Sequence, residues 1–177
     1  MRAVMRMTHM FLPTHVDPRK LALQGCFLEG EVNLEHLTRL SSSVSSVCSP
    51  FKVMVRFSID ESKAKIACGV ATVSVMTICQ RCLDEVQVDL NAKFDLQIVY
   101  SEEQAQQVAR NYEPWLVADR MANLCEVLED EILLALPVVN YHPVGSCTGD
   151  AFISEVDPSD GSAGENPFSI LKQLKRS

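Results

Sequence analysis

The chain has 177 residues, 47% hydrophobic and 22% charged, with a mean hydropathy of +0.06; that length suits one domain, or one domain with trailing arms, and excludes a large multidomain enzyme. No apolar run approaches the roughly 20 residues needed to cross a bilayer, and Arg2, Arg6 and His9 are scattered through the N-terminal stretch, so neither a membrane span nor a secretion signal is expected. A net charge of -7 argues against indiscriminate nucleic-acid binding, and seven irregularly spaced cysteines, an odd number, argue against a secreted disulfide framework.

Asp17-Pro18-Arg19-Lys20 sets a capping residue before a proline at the first helical position, which predicts a short helix to about Ala22 that stops near Gly25. Residues 24–28 then read as a short strand. A second helix starts at Asn33 with Leu34, Leu37 and Leu40 on one face, and the serine run 41–46 ends it as a linker. From Lys52 the period becomes two, with Val53, Val55 and Phe57 alternating against Met54, Arg56 and Ser58, and Asp60-Glu61-Ser62 supplies a turn. Residues 63–79 form a long strand in which Gly69 marks a bulge or bend. Residues 85–100 alternate again through Val86, Val88, Leu90, Phe94, Leu96 and Ile98.

Ser101-Glu102-Glu103-Gln104 predicts a capped helical turn, and Tyr112-Glu113-Pro114-Trp115 returns the chain in extended form. The clearest helix spans 123–136, with Leu124, Val127, Leu128, Ile132 and Leu136 at helical spacing, Glu126, Glu129, Asp130 and Glu131 mostly on the wet side, and Pro137 at its end. Residues 167–175 form a last short helix capped by Asn166. These elements add up to an α+β fold: a central curved antiparallel sheet, able to close toward a barrel, with a few flanking helices and a flexible C-terminal arm. Residues 1–140 are the single domain, 141–165 a partly disordered loop and 166–177 the terminal helix.

Three readings compete for Cys79-Gln80-Arg81-Cys82. A thiol redox pair needs its first cysteine at a helix N-terminus, where the dipole lowers the thiol pKa, and strand patterns flank this pair instead. A zinc knuckle needs two further ligands; His142 and Cys147 are the other closely spaced pair, their His-x4-Cys spacing one residue longer than the commonest form. The third reading is a tight hairpin corner with incidental cysteines. Glycine-rich phosphate loops, a serine nucleophile elbow and an HExxH helix are all missing from the sequence.

Charge is segregated along the chain: ten Lys and Arg against six Asp and Glu over residues 1–83, three against seventeen over 84–165, and three against none over 166–177. Glu126, Glu129 and Asp130 are therefore candidate contacts for a basic protein, and Asn166, Pro167, Phe168, Lys172 and Lys175 candidate contacts of the tail, its lysines toward RNA phosphates.

Asp17-Pro18-Arg19, Cys79-Gln80-Arg81-Cys82, Tyr112-Glu113-Pro114, the run from Glu129-Asp130-Glu131 to Leu136-Pro137-Val138-Val139, and Asn166-Pro167-Phe168 with the residues to Lys175 occur in an order that closely resembles the bacterial YceD family. The resemblance implies a non-enzymatic, cytoplasmic ribosome-biogenesis factor for synthesis, processing or stability of large-subunit (23S) ribosomal RNA. Its implied partners are that RNA or its assembly and processing proteins, with no membrane and no small-molecule substrate. Some relatives carry further cysteines after the acidic helix, where this chain has His142 and Cys147, which favours zinc as the one cofactor to expect. The competing class is an enzyme, thiol-redox or zinc-dependent, built on Cys79 and Cys82.

Overall fold

The computed structural model describes residues 6–149. Contacts group the chain into one unit up to Tyr141 and a second from His142. In the first unit the strands are β1 (Arg6–Phe11), β2 (His15–Val16), β3 (Phe27–Val32), β4 (Ser46–Val47), β5 (Phe51–Ile59), β6 (Lys65–Ile78), β7 (Glu85–Val99), β8 (Glu113–Leu116) and β9 (Ala122–Asn123). The helices are α1 (Pro18–Gln24), α2 (Thr38–Ser43), α3 (Glu102–Ala105) and α4 (Leu124–Leu134), with a 3-10 turn at Leu34–His36.

Alternation builds the sheet. Phe51, Val53, Val55 and Phe57 of β5 point inward while Lys52, Met54 and Arg56 stay exposed, the period-two pattern of a strand with one covered face. β5, β6 and β7 pair antiparallel in sequence order; β3 adds antiparallel to β5, and β1 and β8 add parallel at the two ends. The resulting order is β1-β3-β5-β6-β7-β8, with β4 paired to β6 and a separate β2-β9 ribbon. Leu124, Leu128 and Ile132 of α4 join Leu37, Leu40 and the inward residues of β5 in one buried core, each such side chain contributing roughly 1.5–3 kcal/mol by leaving water.

The architecture is α+β, as expected, but the sheet does not close into a barrel: it stays open, with β1 and β8 at its ends. Helices occupy the covered face, where α1 packs on β5 and α4 on β7, so their side chains fill the space that closure would have used. Gly69 is also not a bulge. Pairing runs in uninterrupted register through Val55, Gly69 and Phe94, and the glycine is there for room: a Cβ would lie 2.4 Å from the Met54 carbonyl oxygen and 2.7 Å from Phe94 Cζ. Gly69→Ala should therefore overpack the sheet and cost about 2 kcal/mol, read as a lowered midpoint in urea unfolding. An unchanged midpoint would show that both the β5 backbone at Met54 and the Phe94 ring have space to move.

Other boundaries shift for local reasons. Asp17 caps α1 by accepting from Lys20 N, and Gly25 ends it in the left-handed conformation at φ 64°, so β3 begins at Phe27 rather than residue 24. The second predicted helix is split at Leu37 into the 3-10 turn and α2. The serine run is partly helix, because Ser41 Oγ donates to Leu37 O and Ser43 Oγ to Arg39 O within α2. β1, which has no alternation of its own, is a strand only through its parallel partner β3. The predicted terminal helix 167–175, most of the 141–165 loop and the tail residues Asn166, Pro167, Phe168, Lys172 and Lys175 lie outside the described residues.

Candidate metal centre

Residues 79–84 form the tight turn that joins β6 to β7. Cys79 N donates to Asp84 O at 2.8 Å and Leu83 N donates back to Cys79 O at 2.9 Å, while Leu83 takes φ 66°. A left-handed residue just after the second cysteine turns the backbone sharply, so both thiols of the CxxC can face one point. No helix begins at Cys79, so the dipole that a thioredoxin-type thiol needs is lacking. The segment after α4 is tied to the same turn, with Gln80 N donating to Asn140 O at 2.9 Å and the Arg81 guanidinium 5.1 Å from the Tyr141 ring centroid.

His142 follows directly in sequence. Beyond it a turn closes with Ser146 N donating to Pro143 O at 3.1 Å, and Cys147 comes next. Cys79 and Cys82 lie in the first unit, and His142 and Cys147 stand at the start of the second. Cys79 and Cys147 are buried, and none of the seven cysteines is in a disulfide. Three thiols and an imidazole form a Cys3His set, the tetrahedral zinc type, in which ligand atoms sit roughly 3.3–3.8 Å apart around the ion. The donor chemistry of the four residues suits such an ion.

The acidic helix is organised differently from a uniformly wet face. Glu126 is exposed, but Glu129 is only 3% exposed: its Oε1 accepts from Arg39 N at 2.8 Å and Leu40 N at 2.9 Å, and its Oε2 from Arg39 Nε at 2.9 Å. Asp130 pairs with the same guanidinium. Arg39, which sequence reasoning did not single out, is thus the hub that joins α2 to α4. No local signal marks it, since its carboxylate partners lie some 90 residues away.

Glu131 lines a cleft with Glu113 and Asp130. Burial, then the charges of Glu113 and Asp130, push its carboxyl up from 4.5 to about 7. The folded state therefore keeps a proton that the unfolded chain has released between those two values, and stability falls as pH rises through that window. Glu131→Gln should match the native protein at pH 4 and exceed it at pH 8 by about 1 kcal/mol, a figure reduced for the group's partial exposure. Parallel curves of melting temperature against pH for the two proteins would contradict this.

A family profile described as large ribosomal RNA subunit accumulation protein YceD matches residues 67–175, a span that holds most of β6, all of β7 and α4 and all four candidate ligands. A Haemophilus influenzae protein of the same description is 32% identical over 168 residues, covering 93% of this chain and 97% of that one. The chain belongs to the YceD family. No solved structure matches it. Among the described residues of this YceD chain, no helix is long and apolar enough to cross a membrane.

Proposed function

We propose that this protein supports accumulation of large-subunit ribosomal RNA in the cytoplasm, and that it acts by binding rather than by covalent chemistry. Membership of the YceD family over nearly the whole chain carries this reading, since the Haemophilus influenzae relative is described by that role. In the same reading Cys79, Cys82, His142 and Cys147 hold a structural zinc ion. Four protein ligands fill a tetrahedron and leave no open position for a substrate, which is how structural zinc sites differ from catalytic ones. The ion would pin the β6–β7 turn and lock the conformation of the loop that supplies His142 and Cys147.

The flank of α4 at exposed Glu126 and at half-buried Asp130, which is also paired with Arg39, is the contact for a basic assembly protein, and Asn166, Pro167, Phe168, Lys172 and Lys175 are tail contacts. Glu129, bound internally, contributes through α2 rather than by touching a partner. Depleting the protein and quantifying the two ribosomal RNAs tests the reading: the ratio of large to small should fall, and an unchanged ratio would refute it.

A further inference from the structure

Two clefts share Tyr100 in their walls. One, of about 540 Å3, is lined by Arg19, Lys20 and Arg120 together with Asp17 and Asp119. The other, of about 310 Å3, is lined by Lys63 and Lys65. These residues come from separate parts of the chain: the first turn of α1, the β5–β6 turn with the start of β6, the chain just after β7, and the loop before β9. The fold thus gathers five cations and two acids around one aromatic ring in a protein whose net charge is -7.

The cations are available. Arg19, Lys20 and Lys63 are exposed, and among the described residues neither they nor Lys65 forms an ion pair with a carboxylate. Lys65 Nζ lies 5.6 Å from the Tyr100 ring centroid, and that ring belongs to a residue 38% exposed. Of the two acids, Asp17 is already engaged, accepting from Lys20 N at 2.9 Å and from Arg120 Nε at 3.1 Å. Those bonds hold its carboxyl below the usual range, the Lys20 amide contributing most. Arg120 keeps an 83% exposed side chain while anchored there.

Gathering like charges costs self-repulsion that an arriving polyanion removes. A polyanion that also carries flat rings uses Tyr100, because bases stack on aromatic side chains with little regard to sequence. An acidic peptide would use the charges and leave the ring idle. We propose that the paired clefts around Tyr100 dock a single-stranded RNA segment, its phosphates against Arg19, Lys20, Lys63 and Lys65 and one base against the tyrosine ring. The choice of RNA rests on the proposed function; the existence of the polyanion site rests on the geometry.

The test is fluorescence anisotropy of the full chain with a labelled single-stranded RNA of about 12 nucleotides, inside the footprint range of single-strand binders. The native protein should bind at low salt. Arg19→Glu combined with Lys65→Glu should weaken binding at least about tenfold and flatten the salt dependence by about 1.4 in log–log slope, the loss of two phosphate contacts. Tyr100→Ala should lose about tenfold while Tyr100→Phe stays within about twofold, a split that simple charge loss would not produce. If the double reversal unfolds the protein by circular dichroism, Arg19→Gln with Lys65→Gln decides, with a loss of at least about threefold expected. Absence of RNA binding by the native protein, or equal binding by the charge variants, overturns the site. So does a cleft-dependent acidic protein partner recovered in place of RNA. If depletion lowers large ribosomal RNA yet the native protein binds no RNA, the site falls and the proposed function stands; cleft-dependent binding without any effect of depletion gives the reverse.

Discussion

Replacing Glu129 with alanine is expected to destabilise the protein by about 3 kcal/mol, the cost of leaving a buried and a part-buried backbone amide without their acceptor, seen as a drop of about 10 °C in melting temperature. The reason lies in how α2 starts. Its N-cap is Leu37, which has no side chain able to accept a hydrogen bond, so the first amides of the helix have no local partner. Glu129 supplies the missing acceptor from α4, taking the Arg39 and Leu40 amides on one oxygen and Arg39 Nε on the other. Alanine leaves one buried and one part-buried N–H group unsatisfied and opens a gap beside Leu40, which is fully buried. Glu129→Gln keeps one acceptor oxygen and should lose about half as much. A loss under about 1 kcal/mol for the alanine variant would mean that water reaches those amides.

Metal removal is the second large effect. Purified protein is expected to carry about one zinc per chain, and Cys79→Ser or Cys82→Ser should lower the affinity at least about a hundredfold, because each thiolate would be a direct ligand in the proposed centre and binding energy is folding energy at such sites. Chelation of the native protein should reproduce the serine variants' loss of order in the β6–β7 turn, read as faster amide exchange at Gln80 and Leu83. His142→Ala and Cys147→Ser should do the same from the other side of the ligand set. Native protein with no stoichiometric metal, or with metal content indifferent to all four substitutions, would contradict the centre and leave a hairpin corner with incidental cysteines.

Patterns confined to one element were legible. Val53, Val55 and Phe57 announced β5, and Leu124, Leu128 and Ile132 announced α4, because burial on one face imposes its own period. The cap at Asp17 and the stop at Gly25 were legible for the same local reason. What failed was whatever depends on a distant partner. β1 has no internal alternation and exists by pairing with β3. Gly69 was legible as special, but the regular register excludes the bulge, and the Met54 carbonyl and Phe94 ring that need its space are on other strands. Glu129 looked like its neighbours Glu126 and Asp130, and only the fold reveals that it faces α2. The four candidate ligands were chosen by residue type and spacing, and their three thiols and one imidazole are a donor set of the zinc type. The basic cleft at Tyr100 was invisible because its cations are spread from Arg19 to Arg120.

This YceD protein is expected to work by holding another molecule, and the most direct measurement is what it holds. Recovering the full-length protein from cells at low and high salt, with its RNA and protein companions identified, should yield large-subunit ribosomal RNA or its assembly proteins well above a mock recovery. The RNA should fall away steeply as salt rises. Recovery of neither above the mock level would contradict a role in binding.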